Sequence, residues 1–300
     1  MTMLDGLAAL VLHATLMLVG APLLAGLIRW GQARLAGRAG PSPLQPYREL
    51  RRLCRKQPVM PESASTLFTA APIAALAATI VAALLTPSFT LGMATEPLAD
   101  LVVIAGLLAS GGVALAMGAV DAGTASGGAG VSRGTPAAVA AASGVLLAIF
   151  VVALLTGTTN LDAAAAQASE SGLRPPLLLA FAAMLMAAAG DGDERSLPDH
   201  SGRLLAVAEA ACMLRKLTWF SLLVAAFMPF GIASTGSGLL GWLGGLAAWA
   251  LKIGLLAGAF AAFRALRASM PLARHLEFLG MAALLSLLAA VLAFISQGLA

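Results

Sequence analysis

Apolar residues in this chain do not alternate with polar ones; they come in long runs broken by short polar or basic stretches. A helix needs roughly 20 apolar residues to cross about 30 Å of hydrocarbon. Eight runs meet or approach that length: Leu7–Ile28, Thr66–Leu85, Leu98–Val120, Pro136–Leu155, Pro175–Ala189, Cys212–Ile232, Leu239–Phe263 and Phe278–Ile295. Lipid offers no partner for backbone N–H and C=O groups, so each run reads as a helix rather than a strand. The fifth is short, and is expected to extend backward or to cross a locally thinned bilayer. The expected fold is an all-α integral membrane protein: one membrane domain over residues 1–300, a bundle of about eight transmembrane helices.

Composition excludes the alternative of two soluble domains. Of the 300 residues 60% are hydrophobic and 11% charged, against roughly 25% charged in soluble domains. Aromatics make up 5% and glycine contributes 32 residues, a balance that lets helices approach closely in lipid. Gly241–Gly245 and Gly254–Gly258 are two such small-residue pairs in the seventh run. Residues 1–6 carry Asp5 and no Lys or Arg, unlike the basic start of a cleaved signal peptide, so the first run is expected to stay as a helix. Cys54 and Cys212 fit no metal or redox spacing.

The 18 Lys and Arg residues set the orientation. Arg29, Arg34, Arg38, Arg48, Arg51, Arg52, Arg55 and Lys56 lie in the 29–65 connection. Arg133, Arg195, Arg203, Arg264, Arg267 and Arg274 fall in later connections on the same side, with Arg215 and Lys216 just inside the sixth run. Opposite connections hold only Arg174, and Lys252 sits inside the seventh run. Basic loops stay cytoplasmic, so both termini are expected outside a bacterial or archaeal plasma membrane. The net charge of +4 then reflects these loops, not a nucleic-acid partner.

Three stretches carry candidate chemistry. In the 29–65 loop, a helical run from Tyr47 to Lys56 places Arg48, Arg51, Arg52 and Arg55 on one face beside an apolar stripe of Tyr47, Leu50, Leu53 and Cys54. Such a helix can be a plain anchor, lie against anionic lipid, or dock an acidic protein. The Gly-rich connection 121–135 matches no phosphate-binding loop, and its Asp121 is either an interfacial cap or a proton carrier. Arg215 and Lys216 fall within the sixth apolar run, six residues after Glu209, and Lys252 within the seventh. A central cation costs about 2.5–3.5 kcal/mol on insertion scales and commonly marks an ion path. Snorkelling is the alternative for Arg215 and Lys216, and is hard for Lys252.

The order of motifs resembles a known family. Pro22–Arg29, Ala33–Leu35, Arg38–Pro41, Leu44–Leu50, Lys56–Gln57, Pro61–Ser65 and Ala71–Pro72 resemble the first cytoplasmic loop of the respiratory complex I subunit 1 family. The branch they are most similar to comprises formate hydrogenlyase subunit 4 and hydrogenase-4 component C, of membrane-bound group 4 hydrogenases. Asp121–Thr124, Val131–Arg133, Gly157–Asn160, His200–Gly202, Pro229–Gly231 and Lys252 resemble later elements. The resemblance implies a non-catalytic membrane subunit that docks hydrogenase-like large and small subunits, through Arg34, Arg38, Gln45, Tyr47, Arg48, Glu49, Arg52 and Arg133. It implies antiporter-like membrane neighbours and an ion path through Asp121, Glu209, Arg215, Lys216 and Lys252. Iron–sulfur clusters and a nickel–iron centre would reside on the partners, with no cofactor bound by this chain.

Departures from the family pattern bear on the ion path. Gly134 stands where relatives carry Glu, Ala142-Ser143 where they carry Glu-Pro, and the acidic loop 191–203 is shortened. A passive scaffold that has shed proton carriers is the competing expectation. A stand-alone secondary transporter is less favoured because the two halves show no repeat.

Overall fold

The computed structural model describes residues 3–172, 174–190, 199–267 and 272–298. Among these residues ten α-helices follow in order: α1 Met3–Leu35, α2 Gln45–Cys54, α3 Thr66–Leu85, α4 Leu101–Asp121, α5 Ala125–Thr156, α6 Leu161–Ser171, α7 Pro175–Gly190, α8 Gly202–Phe227, α9 Gly238–Arg267 and α10 Leu272–Gly298. Seven of them (α1, α3, α4, α5, α8, α9 and α10) are long and apolar enough to cross a membrane, and α7 is a shorter apolar helix. The protein is therefore an all-α, multi-pass membrane protein, with α7 as the short fifth segment.

Helix α8 is the central post. It is the least apolar of the seven long helices, yet 83% of its apolar window is buried against 33–39% in the others. It packs on α1, α2, α3, α4, α6, α7 and α9, while α10 closes against α5 and α7. The outer helices turn apolar surface such as Val11, Leu240 and Phe294 outward. The polar groups of α8 can be tolerated at membrane depth because they meet protein instead of lipid.

At one end of the bundle, β1 (Thr90–Leu91) pairs in parallel with β2 (Ala233–Ser234). Gly245 makes this possible, because a Cβ there would lie 2.2 Å from the Phe89 carbonyl. Thus Gly245 packs tightly as expected, whereas Gly241 is crowded only by Ser237 of the preceding turn and Gly254 and Gly258 meet open space.

Several expected boundaries change. The glycine-rich connection 121–135 is not a loop: α5 begins at Ala125, leaving only residues 122–124 between helices. The Thr124 hydroxyl accepts from the Gly127 N–H and starts the helix. Glycine is required at 127, where a Cβ would lie 2.3 Å from the Ala119 carbonyl. The sixth span is Gly202–Phe227 rather than Cys212–Ile232, which puts Arg215 and Lys216 near the middle of α8 instead of near one end. The short basic helix covers Gln45–Cys54 rather than Tyr47–Lys56. Helix α6 was not expected; Asn160 caps it through the Ala163 N–H. Most of the shortened loop 191–203, including Arg195, lies outside the described residues.

Candidate functional site

The basic end of the bundle is organised around α2. Pro46 and Leu53 are buried and Leu50 packs against the core, with α2 lying on α1 and α8. Tyr47 also turns inward: its hydroxyl donates to the Val19 carbonyl, close to the point where Pro22 interrupts the α1 ladder. Burial pushes the Tyr47 phenol above its ordinary value. Of the expected apolar stripe, only Cys54 is exposed. With its apolar side spent on the protein, α2 turns Arg48, Arg51, Arg52 and Arg55 to the exterior, followed by exposed Lys56.

The remaining docking candidates divide. Glu49 accepts from Arg29 at 3.1 Å and from the Gln45 amide at 2.8 Å, so both side chains brace α2 against α1. Arg34 lies over the Trp30 ring at 5.6 Å, and Arg38 is exposed just beyond α1. Arg133 is exposed on α5, away from α2 in the chain.

Hydrogen bonds between distant segments fix this end. Asp121 accepts from the Ser65 N–H and hydroxyl (both 2.8 Å) and from the Phe68 N–H (3.0 Å). It caps α3, the structural alternative for a residue also considered as a proton carrier. Asp199 accepts from Thr124 and Ser126, each at 2.8 Å, at the start of α5. His200 stacks on Phe68 with ring centroids 4.4 Å apart. Burial holds its imidazole below the ordinary value, against the opposing effects of the Phe68 backbone and Asp199. The Ser201 hydroxyl accepts from the Val59 N–H at 2.7 Å and donates to the Val59 carbonyl at 3.1 Å. Gly202 adopts φ +53°, and a Cβ there would lie 2.5 Å from the Gln57 carbonyl.

Deeper in the bundle, Ala208, Ala211 and Cys212 of α8 pack with Ala75 and Leu115. One turn on, the Arg215 guanidinium lies in a notch at Gly112 of α4, where a Cβ would meet Nη1 at 2.6 Å. Glu209 and Lys216, two helical turns apart and half-buried, share another face of α8. Lys252 reaches the far end of α8: Nζ donates to the Met228 carbonyl at 2.7 Å and to the Phe230 carbonyl, and lies 4.5 Å from the Phe230 ring centroid. These carbonyls follow the last turn of α8, so the cation serves as a C-terminal cap. His13 is buried between Ser88 Oγ (2.7 Å) and the Ala83 carbonyl (2.8 Å).

Two carboxylates and an amide organise the end opposite the arginines. Asp100 caps α4 and holds the Thr159 hydroxyl. Burial raises its pKa, but the hydroxyl and the Val103 and Val102 N–H groups outweigh that and keep it low. Asp162, only 4% exposed, accepts from the Gly92 N–H at 2.9 Å. Burial raises its pKa to about 6, opposed by that hydrogen bond and aided by the nearby Glu96 charge. Asn160 donates to the Glu96 carbonyl at 2.8 Å.

Sequence reasoning missed Ser201, Asp199 and Asp162. Each is a short polar residue at a helix start, a signal present in the chain but common to every capped helix. No group of three or more His, Cys, Asp or Glu among the described residues could hold a metal ion.

Residues 7–193 match the model of a family described as NADH dehydrogenase. Hydrogenase-4 component C of Escherichia coli K12 is 28% identical over 240 residues, covering 74% of this chain and 75% of that protein. Formate hydrogenlyase subunit 4 of the same organism is 28% identical over 240 residues, covering 75% and 78%. A chain in the structure of the membrane-bound sulfane sulfur reductase, an archaeal respiratory membrane complex, superposes with a TM-score of 0.79 at 20% identity, covering 95% of this chain and 99% of that one.

Proposed function

Because this chain belongs to the NADH dehydrogenase family, that of complex I subunit 1, we propose that it is the membrane-anchoring subunit of a group 4 hydrogenase-like redox complex. Its basic end lies on the cytoplasmic side of a bacterial or archaeal plasma membrane and grips the peripheral electron-transfer arm. Both termini are outside. Hydrogenase-like large and small subunits carry the iron–sulfur clusters and the nickel–iron centre, and antiporter-like subunits adjoin it in the membrane. This chain binds no cofactor and makes no bond itself.

One observation carries this reading. The apolar side of α2 is buried on α1 and α8 while Arg48, Arg51, Arg52 and Arg55 face outward. A helix that lies in a lipid interface turns its apolar face to the acyl chains; here that face is occupied by the protein. The arginine row is left for an acidic partner, reinforced by Arg34 and Arg38. Gln45, Tyr47 and Glu49 hold the platform in place.

Replacing Arg48, Arg51, Arg52 and Arg55 by Glu in the assembled complex, then purifying the membrane chain, tests the proposal. The soluble subunits should be lost from the preparation while the membrane chain keeps its level. Retention of those subunits at wild-type stoichiometry would refute it.

Ion coupling through this chain has a narrower basis. Asp121 is engaged at the start of α3 and Lys252 at the end of α8, and Gly134 and Ala142-Ser143 supply no carboxylate. Those commitments favour the passive-scaffold reading. Any coupling role falls to Glu209, Arg215 and Lys216 on α8. Proton uptake by vesicles during turnover separates the two: Glu209→Gln leaves it unchanged if the chain is a scaffold and abolishes it if the chain couples.

A further inference from the structure

The segment between α2 and α3 has a side-chain pattern that charge alone does not explain. Val59 is 75% exposed and Met60 44% exposed, between Pro58 and Pro61. Exposed apolar side chains on a loose loop would be unremarkable, but this backbone is fixed. Ser201 Oγ engages both the N–H and the carbonyl of Val59. Gly202, in a left-handed conformation, allows the Gln57 carbonyl and Pro58 to lie directly on the start of α8. Two non-local contacts, one requiring a hydroxyl and one requiring the absence of a Cβ, therefore hold two apolar side chains outward.

Their surroundings identify the occupant. Arg51, Arg52, Arg55 and Lys56 precede the pair directly in the chain and are exposed. An apolar centre with a charged rim is the anatomy of a protein–protein contact, in which a few well-packed side chains carry the energy and the rim sets specificity. Lipid is the poorer fit, because the basic helix has already committed its apolar side to α1 and α8.

We propose that Val59 and Met60 form the apolar centre of the docking site, held out by Ser201 and Gly202. They seat in an apolar depression on a water-soluble partner subunit whose rim is acidic. This rests on the docking function proposed above and assigns it residues outside the arginine row. Ser201 and Gly202 act as positioning residues.

A photocrosslinking amino acid at position 59 of the assembled complex reads out the occupant directly. The expected adduct joins this chain to a peptide of a water-soluble subunit bearing Asp or Glu beside apolar residues. Adducts with lipid alone, or only within this chain, would overturn the proposal. In parallel, Val59→Asp with Met60→Asp should reduce co-purified soluble subunits at least tenfold, without lowering the amount of membrane chain, since both side chains are exposed. Val59→Ser with Met60→Ser, which adds no charge, should reduce it in the same direction. If reversal of the α2 arginines releases the soluble subunits and both residue-59/60 pairs retain them, the apolar centre is wrong and the docking function stands. If neither set releases them, the docking function itself falls.

Discussion

At the scale of single residues, the charged groups divide into those that hold the fold and those that face outward. Lys252 illustrates the first class. A lysine centred in an apolar run reads as an ion-path residue, yet its ammonium caps two carbonyls contributed by the end of another helix. The sequence cannot reveal this, because residue 252 and residues 228–230 meet only after α8 and α9 pack. Lys252→Met keeps the stem but removes the donor to the part-exposed Met228 and Phe230 carbonyls, at a cost of about 0.5–1.5 kcal/mol; thermal unfolding in detergent should show the loss. Asp162 makes a pH prediction. Its pKa rises from the usual 3.8 to about 6 in the fold, so the folded state binds the proton more tightly than the unfolded chain. Destabilisation is absent below pH 3.8, grows as pH rises toward 6, and is complete above it. That displacement corresponds to about 3 kcal/mol, at 1.36 kcal/mol per pH unit. Asp162 alone contributes a gain in melting temperature as pH falls from 7.5 to 5, so the wild-type chain should gain on Asp162→Asn over that interval.

At the scale of elements, what the sequence discloses depends on how local the cause is. Lipid imposes length and hydrophobicity on each span separately, so the eight apolar segments and the shortness of α7 are legible from runs alone. The arginine period of α2 is equally local. The fate of the 121–135 stretch is not: its glycines suggest a loop, but Gly127 is small because α5 begins against the Ala119 carbonyl and Asp199. Likewise, Asp121 could be a cap or a carrier until α3 and α4 are brought side by side. Asp121→Ala removes all three hydrogen bonds at the start of α3, and should cost about 0.5–2 kcal/mol of stability as other lost caps do. Gly202→Ala is predicted to be worse, at about 2 kcal/mol or more, since it imposes a left-handed φ on a side chain and drives a Cβ into the Gln57 carbonyl. Limited proteolysis of the membrane-bound variant should then cut within 56–62, where the wild-type chain resists.

At the scale of the whole molecule, the bundle is polarised. One end gathers the arginines around a rigid platform; the other is closed by Asp100, Asp162 and the Lys252 cap. Membrane insertion follows from composition and the family from the ordered motifs of the first loop, whereas the proposed docking surface can be argued only once α2 is known to bury its apolar side. Attraction between an arginine row and an acidic rim is screened by salt, so the soluble subunits should be released from the membrane by raised ionic strength. Cys54 offers a direct probe of both orientation and docking. It is exposed on α2 among the arginines, while Cys212 is buried in α8. A membrane-impermeant maleimide should leave Cys54 unmodified in right-side-out vesicles, modify it in salt-stripped inside-out vesicles, and be blocked again when the soluble subunits rebind. Modification of Cys54 in right-side-out vesicles, or equal modification with and without the soluble subunits, would contradict the account.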